Sequence, residues 1–136
     1  MAQDLNPLVF VYGTLRRSAQ SSMSMFLAAR STFISGATFQ GLMYLVDYYP
    51  GVIPSRSPHD MVKGEVVKLD HPLQTLFRLD QYEGCSLDDP KPHEYLRSQQ
   101  RVTLANGQLC VAWLYLYQSS VTQLPPISQG DFLNRE

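Results

Sequence analysis

The spacing of apolar positions divides the chain into short, well-separated elements. Leu8-Val9-Phe10-Val11-Tyr12 is a β-prone run that stops at Gly13, which predicts a buried strand entering a turn. Ser18 to Arg30 predicts a helix: Ser18, Ser21 and Ser22 offer N-caps, Met23, Phe26 and Leu27 fall at i, i+3 and i+4, and Arg30 suits the C-terminal end. Thr32 to Val46 is rich in β-branched and aromatic residues but carries Gly36 and Gly41, which predicts two strand segments joined by a bend. A turn at Asp47–Gly51 then leads into an extended Val52-Ile53-Pro54. Met61 to Leu69 alternates as a strand. Pro72 opens a second helix whose apolar stripe reads Leu73, Leu76, Phe77 and Leu79. Gly84 to His93 is a loop, and Tyr95–Leu104 and Gln108–Tyr117 form a hairpin around Asn106-Gly107, with positive φ expected at both turn positions.

Strands outnumber helices without strict βαβα alternation, so the expected fold is α+β: a small mixed, barrel-like sheet with two flanking helices. Leu109–Tyr117 is apolar on both faces and reads as a central strand. The 136 residues fit a single domain over 1–136, with 119–136 as a C-terminal tail.

Composition narrows the function. Eleven Lys+Arg against twelve Asp+Glu give a net charge of −1, which argues against a nucleic-acid partner, since phosphate neutralisation needs clustered cations. No apolar run reaches the ~20 residues that span a bilayer, so no membrane association is expected. Met1–Pro7 has neither a basic n-region nor a cleavage-site pattern, and Cys85 and Cys110 form no C-x-x-C pair. The expectation is a cytoplasmic protein with two reduced thiols. His59, His71 and His93 stand apart beside Pro or Asp and read as loop positions, so neither a metal nor a cofactor is expected.

Two places carry candidate chemistry. Tyr12-Gly13-Thr14-Leu15-Arg16-Arg17 follows a buried strand and precedes a helix. Successive N–H groups in such a turn can form an anion-binding nest, or the segment is a plain connection with two solvated arginines. The second is Leu79-Asp80-Gln81-Tyr82-Glu83-Gly84. At ~100° per residue, Glu83 falls within about 20° of Leu76, so its carboxylate is aimed along the apolar stripe, with Asp80 on the same side. Desolvation and the negative helix end would move it toward the ~6–7 range that suits a general base. If the last turn frays instead, Glu83 is solvated. Tyr95, Arg97, Gln99 and Arg101 share one strand face that could line a pocket or meet water, and Tyr48 and Tyr49 could form another wall.

In combination these segments resemble the gamma-glutamylcyclotransferase-like (avirulence-induced-gene-like) family, which includes gamma-glutamylamine cyclotransferases and small bacterial homologues. Val9–Arg16 is similar to the family's "VYGTL(R/K)" opening, Tyr49–Pro54 to its "YPG-x-(V/I)P" loop, and Gly64-Glu65-Val66 to its "GEVY" strand, with Val67 for the tyrosine. Leu79–Gly84 resembles "LDxxEg", Tyr95-Leu96-Arg97 resembles "Y-x-R", and Gly130-Asp131-Phe132 resembles "sGDW" with Phe for Trp. The loop between Glu83 and Tyr95 is longer and more acidic than in many relatives.

The resemblance implies an enzyme that cyclises a γ-glutamyl group to 5-oxoproline and releases an amine or amino acid, without a cofactor or metal. Glu83 would be the general base, the backbone of Tyr12, Gly13, Thr14 and Leu15 would bind the substrate carboxylate or oxyanion, and Tyr95 and Arg97 would be pocket neighbours. The implied partner is the small-molecule γ-glutamyl substrate, and the implied state is a monomer or weak homodimer. A non-catalytic protein that binds a small metabolite in the same pocket would not need Glu83. A protein-interaction surface on the polar-aromatic strand face would need no pocket.

Overall fold

The structure is a computed structural model and describes residues 5–134; the first four residues of the N-terminal stretch and the last two of the tail lie outside the described residues. Six strands form the fold: β1 (Leu8–Val11), β2 (Ser31–Leu45), β3 (Pro50–Pro54), β4 (Met61–Leu69), β5 (Tyr95–Leu104) and β6 (Leu109–Tyr117). Two helices accompany them, α1 (Ser22–Ala28) and α2 (Pro72–Tyr82). The strand order is β3-β2-β4-β1-β6-β5, and β5 returns to β2 at Ala37↔Leu104 and Thr38↔Thr103. Five strands thus close into a barrel, and β3 extends β2 outside the ring. Only β1 and β6 run parallel, so the sheet is mixed, as expected for an α+β domain of this kind.

Closure gives the molecule two apolar layers. The barrel interior holds Phe10, Phe39, Val62, Val66, Val102, Ala112, Leu114 and Phe132. The outer layer lies beneath the helices and holds Val9, Val11, Leu27, Val67, Leu76, Leu79, Tyr95 and Tyr115. β1 feeds both through its period-two alternation. Fully burying each such side chain contributes about 1.5–3 kcal/mol, so the buried Val9, Phe10 and Val11 of β1 anchor the two layers to each other.

Four local expectations change. Thr32–Val46 is not two segments but most of one 15-residue strand, β2. Its irregularity is a register shift against β4 between Phe33 and Ser35, and neither glycine interrupts it. A strand that wraps a small barrel spreads its bend along its length and needs one bulge. The first helix is shorter than 18–30: a 3₁₀ turn at Arg17–Ala19 ends in Gln20 at φ 56°, and α1 starts only after Ser21, whose hydroxyl accepts from the Ser24 N–H at 3.0 Å. The apolar stripe of α2 is rotated: Thr75, Leu76 and Leu79 are buried, while Leu73 and Phe77 are 73% and 58% exposed. The hairpin uses positive φ at Gly107 alone, with Leu104 N–H bonded to Gln108 O at 2.8 Å. That matches a three-residue loop ending in a left-handed glycine, not a two-residue turn.

β6 is covered on both faces only toward its C-terminal end: Leu109 and Val111 are exposed, whereas Trp113 and Tyr115 pack in the outer layer. Residues after β6 are strapped to the barrel. Leu45 N–H bonds to Pro125 O, Lys63 N–H bonds to Gly130 O, and Phe132 fills the barrel end. Among the described residues no helix is long and apolar enough to cross a membrane.

Candidate active site

The segment after β1 is held in place from both sides. Tyr12 turns into the barrel and its hydroxyl donates to Tyr115 O at 2.6 Å. Arg16 N–H bonds to Gly13 O at 3.0 Å, closing a turn, and the Ser21 hydroxyl donates to Thr14 O at 2.5 Å. The N–H groups of Gly13, Thr14 and Leu15 donate to no protein acceptor among the described residues. Gly13 itself is packed: a Cβ there would lie 2.8 Å from Pro50 Cγ, so the first loop and the Tyr49-Pro50-Gly51 turn meet only because position 13 has no side chain.

The underside of this loop is a paired charge cluster. Arg16 Nη1 bonds to Asp131 Oδ1 at 2.9 Å, Arg16 Nε lies 3.8 Å from Glu65 Oε2, and Arg17 N–H donates to Glu65 Oε1 at 2.7 Å. Arg16 is not one of two solvated arginines, since its side chain is only 13% exposed. Arg17 is half-exposed and its guanidinium lies over the Phe33 ring. Motif segments far apart in sequence, at 16, 65 and 131, therefore converge to hold the loop.

Across the cleft, α2 delivers Glu83. The last turn does not fray. Gly84, at φ +71°, donates to Gln81 O at 3.2 Å and Cys85 N–H donates to Asp80 O at 2.9 Å, the paired bonds of a Schellman motif. Glu83 stands at the C-cap of α2, and its carboxyl has no hydrogen-bond or salt-bridge partner among the described residues. Burial first, and then the charges of Glu94 and Asp80, push it up from 4.5 to about 8. Asp80, three residues earlier, fares differently. It accepts from Arg97 Nε at 2.8 Å, Arg97 Nη2 at 3.1 Å and the Tyr115 hydroxyl at 2.7 Å.

Between these walls lies a cleft of about 270 Å³. It brings together Tyr12, Gly13, Thr14, Leu15, Tyr95 and Glu83. Arg97 is a correction: it does not line the cleft, because Asp80 and the Trp113 ring, 4.3 Å from its guanidinium, hold it behind α2. Gln99 and Arg101 also lie outside the cleft, so of that strand face only Tyr95 reaches it. Tyr48 and Tyr49 supply the opposite wall, and the Tyr95 hydroxyl donates to Pro50 O at 2.7 Å. Tyr82, Glu94 and Tyr115 also line the cleft, unanticipated from the sequence. The available signal for Glu94 was its position immediately before the strand residue Tyr95. Among the described residues, no Lys, Arg or His lines the cleft. Free amides on one wall and an unpaired, partly protonated carboxyl on the other can bind an anionic group and exchange a proton with an amine. Among the described residues, no three His, Cys, Asp or Glu side chains are grouped to hold a metal ion, and Cys85 and Cys110 are both free.

Residues 9–134 match the family described as "Gamma-glutamyl cyclotransferase, AIG2-like". The chain belongs to that family. It is 33% identical over 128 residues to the gamma-glutamylcyclotransferase family protein YtfP of Escherichia coli K12, covering 94% of this chain and 97% of that one. Among solved structures, YkqA of Bacillus subtilis superposes with a TM-score of 0.69 at 26% identity, over 94% of this chain and 40% of YkqA. This chain thus corresponds to less than half of that relative. An AIG2-like protein of Mus musculus shares the fold with a TM-score of 0.68 at 22% identity, over 88% of this chain and 84% of that one. In this member of the gamma-glutamyl cyclotransferase, AIG2-like family, every motif segment noted in the sequence borders the cleft or the charge cluster beneath its loop.

Proposed function

We propose that the protein is a γ-glutamyl cyclotransferase that converts a γ-glutamyl amine or amino acid to 5-oxoproline and the free amine. The observation that carries this reading is the desolvated, unpaired Glu83 carboxyl in the same cleft as the free amides of Gly13–Leu15. The substrate's α-carboxylate, or the oxyanion formed during attack, accepts hydrogen bonds from those amides; one such donor is worth about 3 kcal/mol. The substrate's α-ammonium sits against Glu83, which favours the carboxylate over the acid.

Glu83 then takes a proton from the ammonium. The α-nitrogen attacks the γ-carbonyl carbon, closing a five-membered lactam. The old C–N bond breaks as the departing nitrogen receives the proton that Glu83 holds; the Glu83 carboxylate then takes the second surplus proton from the ring nitrogen and passes it to the freed amine, which leaves as its ammonium. No water enters the balance. Because nucleophile and electrophile belong to one chain, the main task is to hold that chain folded, worth roughly 7 kcal/mol at most. The free thiols fit action in a reducing cytoplasm.

The test incubates the protein with γ-glutamyl amino acids, γ-glutamyl-ε-lysine and glutathione and measures 5-oxoproline. Release from at least one, lost in Glu83→Gln, is the expected result; release from none defeats the proposal. Full activity in Glu83→Gln would remove Glu83 as the base while leaving the reaction standing.

A further inference from the structure

The cleft has a second carboxylate that the cyclisation chemistry leaves unused. Glu94 immediately precedes β5, and Glu83 and Glu94 bracket the Gly84–His93 loop, so both ends of that loop place an acid on the cleft. Glu94 is positioned: its Oε2 accepts from the Tyr49 hydroxyl at 2.6 Å and its backbone O accepts from Gln118 N–H at 2.8 Å. Tyr49 is in turn held by rings on either side, Tyr48 edge-on at 5.2 Å and Tyr95 at 6.4 Å. Among the described residues no cationic side chain lines the cleft, so none of them neutralises Glu94 there. The result is a carboxylate in a cleft lined by Tyr48, Tyr49 and Tyr95, a combination of charge and aromatic rings that suits an alkylammonium.

Resting on the cyclotransferase reading, we propose that Glu94, oriented by Tyr49, is the specificity determinant for the leaving group and selects γ-glutamyl conjugates whose departing amine carries a second positive charge, as in diamine and polyamine conjugates. With the α-carboxylate met by the Gly13–Leu15 amides and the α-ammonium by Glu83, Glu94 is the charged lining residue left for the other end of the ligand. A primary ammonium, with a pKa near ~10.4, is charged throughout the working range.

The probe pair is the γ-glutamyl conjugate of cadaverine and that of n-pentylamine, equal in chain length and different only in the terminal ammonium. The wild type is expected to favour the charged conjugate in kcat/KM by roughly tenfold or more, the scale of a partly desolvated charge pair. In the near-isosteric Glu94→Gln the ratio falls to near one, and in Tyr49→Phe it falls partway, because Glu94 keeps its charge but loses its orienting bond. A wild-type ratio near one overturns the proposal. So does a ratio that survives Glu94→Gln. Both conjugates carry the same α-ammonium, so equal weakening of both would assign Glu94 to that group and also overturn it. If neither conjugate yields 5-oxoproline, the cyclisation reading fails by itself for this class. Calorimetric dissociation constants of the two intact conjugates, for wild type and Glu94→Gln, then apply the same ratio test to binding.

Discussion

The loop from Tyr12 to Arg17 has carboxylates on both of its faces, and they lead opposite lives. Below it, Glu65 and Asp131 are paired with Arg16 and Arg17 and hold the loop against the barrel. Above it, Glu83 and Glu94 face a cleft lined by no cation among the described residues, and Glu83 is pushed up to about 8. The same side-chain chemistry serves shape where it is paired and, at Glu83 in the proposed reaction, proton transfer where it is not. The deciding variable is the neighbour, not the residue type. Asp80 and Glu83 repeat the lesson within one helical turn: Arg97 and Tyr115 saturate the first, and none of the described residues saturates the second.

The contrast breaks most severely at Glu83 itself. Glu83→Gln should lower kcat by about a thousandfold, within the ~10²–10⁴ range of a general base, with 5-oxoproline release as the readout. Its effect on stability runs the other way. The folded state holds the Glu83 proton more tightly than the unfolded chain does, so the ligand-free wild type loses stability as pH rises from 4.5 to about 8. The variant escapes that loss and should be more stable than wild type by roughly 2–4 kcal/mol at pH 9 in denaturant melts, and equal to it near pH 4.

Breaking the lower face should do the reverse. Arg16→Ala leaves Glu65 and Asp131 facing each other without their shared cation and should destabilise the fold by about 2–4 kcal/mol, measured by urea unfolding at neutral pH. Unchanged stability there would mean that the cluster is ornamental and the comparison false.

A smaller effect concerns pH. The acid limb of kcat/KM should lie near 8, where Glu83 ionises in the free enzyme, with activity falling about tenfold per pH unit below it. Because the Glu94 charge is the second cause of that elevation, Glu94→Gln should move the limb to lower pH. A limb that stays in place would detach the two acids from one another. Smallest is Gly84→Ala. No atom lies within 4 Å of the added Cβ, but a left-handed φ costs a non-glycine residue about 1–2 kcal/mol, so the last turn of α2 should loosen. Stability and kcat should both fall modestly, with amide exchange at Glu83 accelerating first.

Much of the fold was legible locally. β1, β4, the start of α2 at Pro72 and the hairpin follow from period-two alternation, a proline at the first helical position and one glycine in a turn, all properties of neighbouring residues. Glu83 was also legible, because it stands seven positions after Leu76 and a helix brings such positions onto one side. Arg97 was not legible as a structural residue. Alternation fixed its face, but only packing decided that Asp80 and Trp113, not the cleft, occupy that face.

Sequence alone therefore determined most of the elements and the α+β class and pointed to Glu83 as the candidate base, since each depends on spacing within a few turns or on motif order along the chain. Tertiary structure decided what those elements touch: that β2 runs unbroken around a closed barrel, that Leu73 and Phe77 face outward, and that Arg16 is shared by Glu65 and Asp131. It alone decided that Glu83 and Glu94 open onto the same cleft. A carboxylate's pKa and role are set by what lies within a few ångströms, and in a barrel those groups come from strands and loops distant in sequence.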